Sequence, residues 1–127
     1  MRACSSRQWL GFTAPDPANV HYPVIISAAL KLCENHGIPH DDLRIWVDYI
    51  AIPQSNSRCK SLAIETLPAY AALSKFFVIA APETEFTDTP GRICDAGSYL
   101  KRGWVRCCDS YPQPAPLQRV IVTRSLC

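Results

Sequence analysis

The chain has 127 residues, which is enough for one domain and too short for two. Its apolar fraction of 48% and charged fraction of 19% are typical of a globular protein and exclude a chain that is disordered throughout. The net charge of +2 is spread thinly, so we expect no nucleic-acid partner. No apolar run reaches the roughly 18 residues of a membrane span and no signal-peptide core is present, so a cytoplasmic location without membrane association is predicted.

The cysteines and histidines give no sign of a metal site. Seven cysteines are an odd count in a chain without an export signal, which favours reduced thiols. No two cysteines stand in a C-x-x-C pair, and the three histidines are not at zinc-finger spacing from them. We therefore predict no bound metal.

The first third of the chain predicts a strand stub and one amphipathic helix. Residues 1–12 leave room for only a short strand, and residues 13–19 form a loop rich in proline and turn-forming side chains. Apolar residues then recur at helical spacing over 24–33, with Pro23 suited to the first turn and Gly37 supplying the stop.

Two apolar runs follow, and each predicts a buried strand. The segment 43–50, LRIWVDYI, is nearly continuous in apolar residues apart from Asp48, and 75–82, KFFVIAAP, is a second such run. Runs of this kind are typical of strands covered on both faces in a parallel sheet. Between them, 60–73 predicts a helix that Pro68 kinks. The inward face of that helix is expected to carry Leu62, Ala63, Ile64, Leu67, Tyr70 and Ala71.

The rest of the sequence predicts a polar loop over 83–97, a short helix over about 98–108, and a change of character after residue 109. The α/β domain is therefore assigned to 1–109. Residues 110–127 are interpreted as a proline-rich, poorly ordered tail in which LQRVIVT offers a weak edge strand. Alternating helices and strands imply parallel strands joined by right-handed crossovers, with helices on both sides of the sheet.

Five pieces of this sequence occur in an order that resembles a TIR-like domain. They are Ser6-Arg7-Gln8-Trp9, the run WVDYIAIPQ at 46–54, the helix at 62–73, the strand at 76–81 and Arg102-Gly103-Trp104. The most similar version is the divergent type of protists and algae, which is related to heterokaryon-incompatibility domains. The resemblance covers about residues 5–106. It implies a flavodoxin-like, three-layer parallel sheet, incomplete at both ends because half of the first strand and the last elements have no counterpart.

The resemblance also implies a cleft that can hold NAD. The candidate ligand-binding residues are Ser6, Arg7, Trp9, Asp48 and Trp104. Arginine suits a phosphate, and Asp48 follows a strand at the edge where open α/β sheets hold ligands. Structural interpretations stand beside these: Asp48 as a cap of the strand end, and Trp46 and Trp104 as core aromatics.

Catalysis is the point at which the sequence departs from the family. Many TIR domains cleave the nicotinamide glycosidic bond of NAD, a reaction that needs a carboxylate near the oxocarbenium-like centre. The family places a glutamate four residues after the helix tryptophan, and Cys108 occupies that position here. A reactive thiolate at Cys107 or Cys108, next to Arg106, is a further alternative. No catalytic residue is therefore assigned.

The sequence thus predicts a TIR-like signalling and self-association module without enzymatic activity. Homotypic packing of two copies is expected to use the loop Ile52–Lys60, and the resemblance implies NAD as a candidate ligand. One alternative is an NAD hydrolase in which another acid compensates, with Glu83, Glu85 and Asp88 as candidates. A second alternative is a non-functional gene fragment that leaves its reading frame near residue 105.

Overall fold

The computed structural model describes residues 1–7, 9–101 and 118–123. Its elements are β1 (Arg2–Arg7), α1 (His21–His36), β2 (Arg44–Val47), α2 (Asp48–Ala51), α3 (Ser57–Glu65), α4 (Leu67–Ala72), β3 (Phe76–Ala80), β4 (Thr84–Glu85), β5 (Ile93–Cys94), α5 (Ala96–Leu100) and β6 (Gln118–Val122). A 3-10 turn, His40–Asp42, precedes β2. No helix in these described ranges is long and apolar enough to cross a membrane.

Four strands form one parallel sheet in the order β2-β1-β3-β6. The predicted α/β architecture with a parallel sheet is therefore confirmed. The two apolar runs that predicted strands supply β2 and β3, but these are not neighbours because β1 lies between them. β4 and β5 pair separately as a small antiparallel hairpin within the segment that was predicted to be a polar loop.

β1 is a full interior strand, so the prediction of a stub is wrong. Its sequence RACSSR buries three small residues, Ala3, Cys4 and Ser5. An interior strand can be built from small side chains because the helices on either side supply the apolar volume. A search for apolar patterns misses such a strand, and β1 lies inside the sheet, between β2 and β3.

Helices cover both faces of the sheet, which gives three layers. On one face the core consists of Ala3, Ala28, Leu32, Cys33, Ile38, Phe76 and Val78, so α1 packs there. On the other face it consists of Cys4, Ala71, Phe77, Ile79, Ala81 and Tyr99, which brings in α4 and α5. The alternation of residues along β1 and β3 between the two cores follows from the two-residue period of a strand.

α1 confirms the predicted helix, and the side chain of a preceding residue, Asp16, caps its N-terminus. The carboxylate of Asp16 accepts hydrogen bonds from the backbone N–H of Val20 at 2.6 Å and of His21 at 2.9 Å. These are two of the donors that a helix N-terminus leaves without intrahelical partners. Gly37 ends the helix with a φ of 60°, a left-handed conformation that glycine adopts without a side-chain clash.

The helix predicted over 60–73 is two helices, α3 and α4, and most of its predicted inward face is wrong. The break falls at Thr66, and Pro68 lies in the first turn of α4, where its ring is tolerated. Of the six predicted inward residues only Ala71 is buried; Ala63 and Leu67 are half-buried, and Leu62, Ile64 and Tyr70 are exposed. The reason is that α3 borders a cleft instead of lying flat on the sheet.

β2 is shorter than predicted, and β6 lies inside the predicted tail. β2 ends at Val47, because Asp48 starts α2 and its carboxylate accepts a hydrogen bond from the N–H of Tyr49 at 2.7 Å. β6 pairs with β3 from Phe76↔Gln118 to Ala80↔Val122, which confirms the edge strand offered by LQRVIVT. The remaining residues of the predicted tail, apart from Thr123, lie outside the described part of the chain.

Candidate functional site

A cleft of about 540 Å³ opens at the carboxyl ends of β1 and β2, bordered by α3, α4 and α5. Its volume falls within the roughly 300–1,000 Å³ of small-molecule sites. This edge is where open α/β sheets hold their ligands. Four of the candidate ligand-binding residues line it, namely Ser6, Arg7, Trp9 and Asp48. The fifth, Trp104, lies outside the described residues.

Arg7, the last residue of β1, lies between two carboxylates without bonding to either. Its Nη1 is 3.8 Å from Oδ2 of Asp16, and its Nε is 3.9 Å from Oδ1 of Asp48. Both distances exceed the 2.7–2.9 Å typical of a charge-assisted hydrogen bond. The side chain is only 9% exposed, and Nε has no hydrogen-bond partner within the described ranges. The guanidinium therefore has donor capacity that an anionic ligand can use.

Aromatic rings line the walls of the cleft. The ring of Tyr49 lies 5.9 Å from the guanidinium carbon of Arg7, within cation–π range. Trp9 meets Tyr49 edge to face at 5.7 Å between ring centroids, and Trp46 stacks on Tyr70 at 5.1 Å. Trp46 is half-buried and lines the cleft, so it serves both the core and the site.

Asp48 has a carboxyl group whose pKa is shifted by its position in the cleft. Burial raises the pKa of Asp48, against the lowering effects of the Tyr49 N–H and the charge of Arg7. A carboxyl with a raised pKa in a cleft is a frequent mark of a functional site. Here its oxygens can accept hydrogen bonds from a hydroxyl group of a ligand.

Asp16 and His21 complete a charged cluster that also contains Arg7 and Asp48. Sequence reasoning assigned neither Asp16 nor His21 to the site. Burial tends to raise the pKa of Asp16, but the N–H groups of His21 and Val20 and the nearby imidazole together hold it below its usual value. Burial lowers the pKa of His21, and the charge of Arg7 adds to this while Asp16 opposes it. His21 is therefore a neutral imidazole at pH 7, with Nδ1 3.4 Å from Oδ1 of Asp16.

Two further cations, Lys60 and Arg92, line the cleft and were also missed. Arg92 lies over the ring of Phe86, with its guanidinium carbon 4.9 Å from the centroid. Among the described lining residues these two cations and Arg7 outnumber the one carboxylate, that of Asp48, so this part of the cleft favours an anion. Within the described residues no three His, Cys, Asp or Glu side chains are placed to hold a metal.

The acids proposed to compensate for a missing glutamate do not line the cleft. The carboxylate of Glu85 accepts a hydrogen bond from the N–H of Gly91, and that of Asp88 accepts one from the N–H of Phe12. Glu83 is exposed. Cys107 and Cys108 lie outside the described residues.

Ser6 is tied to the opposite wall of the cleft. The hydroxyl of Tyr99, on α5, donates a hydrogen bond to Oγ of Ser6 at 2.6 Å. This bond joins α5 to β1 at the residue next to Arg7. It therefore holds the two elements together at the floor of the cleft, beside the charged cluster.

Comparisons with known proteins gave no match. No family model matches the chain, and neither a curated protein nor a solved structure matches it. The arrangement of residues in the cleft is therefore the basis for any functional argument.

Proposed function

We propose that this protein is a signalling module of the TIR-like type whose cleft binds NAD or a related nucleotide without hydrolysing it. The observation that carries this proposal is Arg7, a buried guanidinium with an unused donor in a cleft at the ligand-binding edge of the sheet. The strand order β2-β1-β3-β6 also supports a flavodoxin-like fold, since it corresponds to the first four strands of the 2-1-3-4-5 order.

The cleft offers a complement to each part of a nucleotide. Arg7 presents the planar donor pattern that suits a phosphate, and Lys60 and Arg92 add positive charge to the lining. Asp48 offers oxygens to ribose hydroxyls. Trp9 and Tyr49 give an aromatic wall against which a base or a nicotinamide ring can pack.

The same electrostatics oppose hydrolysis. Glycosidic cleavage of NAD builds positive charge on the ribose, and a fully ionised carboxylate must stabilise it. Asp48 is a poor candidate because the positive charge of Arg7, whose Nε lies 3.9 Å from Oδ1 of Asp48, opposes a second positive charge beside this carboxyl group. Asp16 is committed to the N–H groups at the start of α1. The described residues of the cleft are therefore better suited to binding NAD than to hydrolysing it.

The experiment is a calorimetric titration of the purified protein with NAD, together with an assay of nicotinamide release. Loss of the Arg7 charge in Arg7→Gln should raise the dissociation constant about tenfold or more, since a hydrogen bond to a charged group contributes about 1.5–3 kcal/mol. Arg58→Gln is the matched control, because Arg58 is exposed and does not line the cleft. A wild-type protein that binds no NAD at millimolar concentration would contradict the proposal.

An NAD hydrolase is the second candidate, and one observation favours it: Asp48 is the carboxyl of the cleft lining and has a raised pKa. Nicotinamide release that disappears in Asp48→Ala and persists in Cys108→Ala would establish this alternative. If the missing glutamate is the only defect, Cys108→Glu should create activity in a protein that otherwise has none.

Self-association is proposed through α2 and α3, which flank the loop expected to make homotypic contacts. Ile50 is 81% exposed and Leu62 is 53% exposed, an unusual display of large apolar side chains on neighbouring elements. Sedimentation of the wild type should show a dimer that Ile50→Asp dissociates. Leu73→Asp changes an equally exposed apolar residue outside this segment and should leave the dimer intact. A wild type that stays monomeric at about 100 μM would rule the surface out.

A further inference from the structure

The two carboxylates beside Arg7 differ in how firmly they are held. Both oxygens of Asp16 accept backbone hydrogen bonds at the start of α1, at 2.6 and 2.9 Å, so this carboxylate is fixed in place. Asp48 has one such bond, to the N–H of the next residue, and its side chain is 21% exposed. Asp16 therefore acts on the guanidinium from a fixed point, whereas Asp48 has room to move towards it.

Arg7 nonetheless lies almost midway between them, at 3.8 Å from Asp16 and 3.9 Å from Asp48. A guanidinium with a single carboxylate beside it normally closes into a bonded pair at about 2.7–2.9 Å. Nη1 faces Asp16 and Nε faces Asp48, so closing either pair draws the guanidinium away from the other carboxylate. The unpaired, buried Nε follows from this balance.

We propose that Asp16 is a positioning residue of the cleft: its charge holds Arg7 back from Asp48 and thereby keeps the guanidinium open to an anionic group of the ligand. This inference rests on the proposed nucleotide-binding function. His21 supports the arrangement, because its buried imidazole lies 3.4 Å from Oδ1 of Asp16 and contacts the carboxylate on the side away from Arg7's partner oxygen, Oδ2.

The test uses Asp16→Asn, Asp48→Asn and the double variant, with NAD as the binding probe. A second readout needs no ligand: the side-chain Nε–H signal of Arg7 in a nitrogen-15 NMR spectrum, assigned by its loss in Arg7→Lys. In Asp16→Asn the guanidinium should close onto Asp48. The Nε–H signal should then shift downfield as this hydrogen bond forms, and the dissociation constant for NAD should rise about tenfold.

The double variant separates positioning from a merely structural role. With Asp48 already replaced, Arg7 has no carboxylate to close onto, so the Nε–H signal should lose the shift seen in Asp16→Asn, and NAD affinity should equal that of Asp48→Asn within about threefold. If Asp16 only capped α1, adding Asp16→Asn to Asp48→Asn would cost the same tenfold as in the wild type, because the cap is impaired in either background. That result, or an unchanged Nε–H signal in Asp16→Asn, overturns the proposal.

Failure of the proposed function is distinguishable from failure of this inference. If the wild type binds no NAD, nucleotide binding is refuted, and the Nε–H signal still decides whether Asp16 positions Arg7. If Asp16→Asn does not fold, Asp48→Asn decides the question by itself. In that variant the Nη1 group of Arg7, which faces Asp16, should close onto this carboxylate and its NMR signal should shift, and an unchanged Nη1 signal overturns the proposal.

Discussion

Replacing His21 with leucine should stabilise this protein at neutral pH. The imidazole is 1% exposed, and neither ring nitrogen has a hydrogen-bond partner within the described ranges. The contact of Nδ1 with Asp16, at 3.4 Å, is longer than a normal N–H···O bond. A buried polar group without a partner costs about 1–3 kcal/mol. Leucine fills a similar volume and brings no polar atom into the site.

The size of the effect follows from which nitrogens are unpaired. Nε2 has no polar contact and Nδ1 has a weak one, so we expect a gain of about 1–2 kcal/mol in the free energy of unfolding. In a chain of this length that gain raises the Tm by about 4–8 °C. His40→Leu is the control, because His40 is exposed, and its effect should stay within about 0.5 kcal/mol.

The same substitution should change how stability depends on pH. Burial, with a smaller contribution from Arg7, lowers the pKa of His21 in the folded state, so the unfolded chain binds this proton more readily. The wild type therefore has the full contribution of neutral His21 above about pH 6.5 and loses it as the pH falls towards the folded-state pKa. His21→Leu removes this loss, so its advantage should grow on acidification.

Thermal unfolding followed by circular dichroism at pH 7 and at pH 5.5 measures both effects. A variant that melts below the wild type at pH 7 would refute the reasoning, since it would mean that the imidazole makes a hydrogen bond that stabilises the fold. An equal pH dependence in the two proteins would refute the titration argument. A wild type without any cooperative transition would favour the interpretation of the chain as a gene fragment.

Further predictions concern the core, a helix end and the cleft, and each is checked by thermal unfolding. Leu32→Ala should cost about 2–5 kcal/mol, because Leu32 is 4% exposed in the core under α1; a loss below 1 kcal/mol would contradict that packing. Gly37→Ala should cost about 1 kcal/mol through its φ of 60° alone, since no atom crowds an added methyl group. Tyr99→Phe should cost about 0.5–1.5 kcal/mol by deleting the bond to Ser6, and a neutral effect would mean that this bond adds nothing. Asp48→Asn should raise the Tm at pH 7, because a raised folded-state pKa makes ionised Asp48 costly above that pKa; the difference from the wild type should shrink as the pH falls through it.

The parts of the fold that the sequence predicts well are those with strong local patterns. α1 shows helical spacing and a terminal glycine, and β3 is a continuous apolar run that is fully buried. Together with the strand in 43–50 and the helical segment 60–73, they alternate along the chain in the way that predicts a parallel sheet. The strand in 43–50 is predicted at the right place, but its end at Val47 is not predicted. Asp48 can end a strand or begin a helix, and the sequence pattern does not distinguish the two.

The features that the sequence hides depend on tertiary contacts. β1 has no apolar pattern, since its position between β2 and β3 lets alanine, cysteine and serine fill an interior strand. The exposure of Ile64 reflects the cleft that it lines beside α3, which local spacing cannot reveal. In the site, Arg7 and Asp48 could be proposed from their places at strand ends. Asp16 could be read as a turn residue, but its proximity to Arg7 arises only when α1 packs on the sheet.

The place of β1 in the sheet has a consequence for how the protein is made. β1 precedes both of its neighbours, at 44–47 and 76–80, along the chain, so it is synthesised before either of them. Pairings between distant segments are slow to form, so the nascent chain carries an unmatched strand until β2 and β3 have been made. A shortened product that lacks residues 2–7 would leave β2 with no strand to join, and we expect quality control to degrade it.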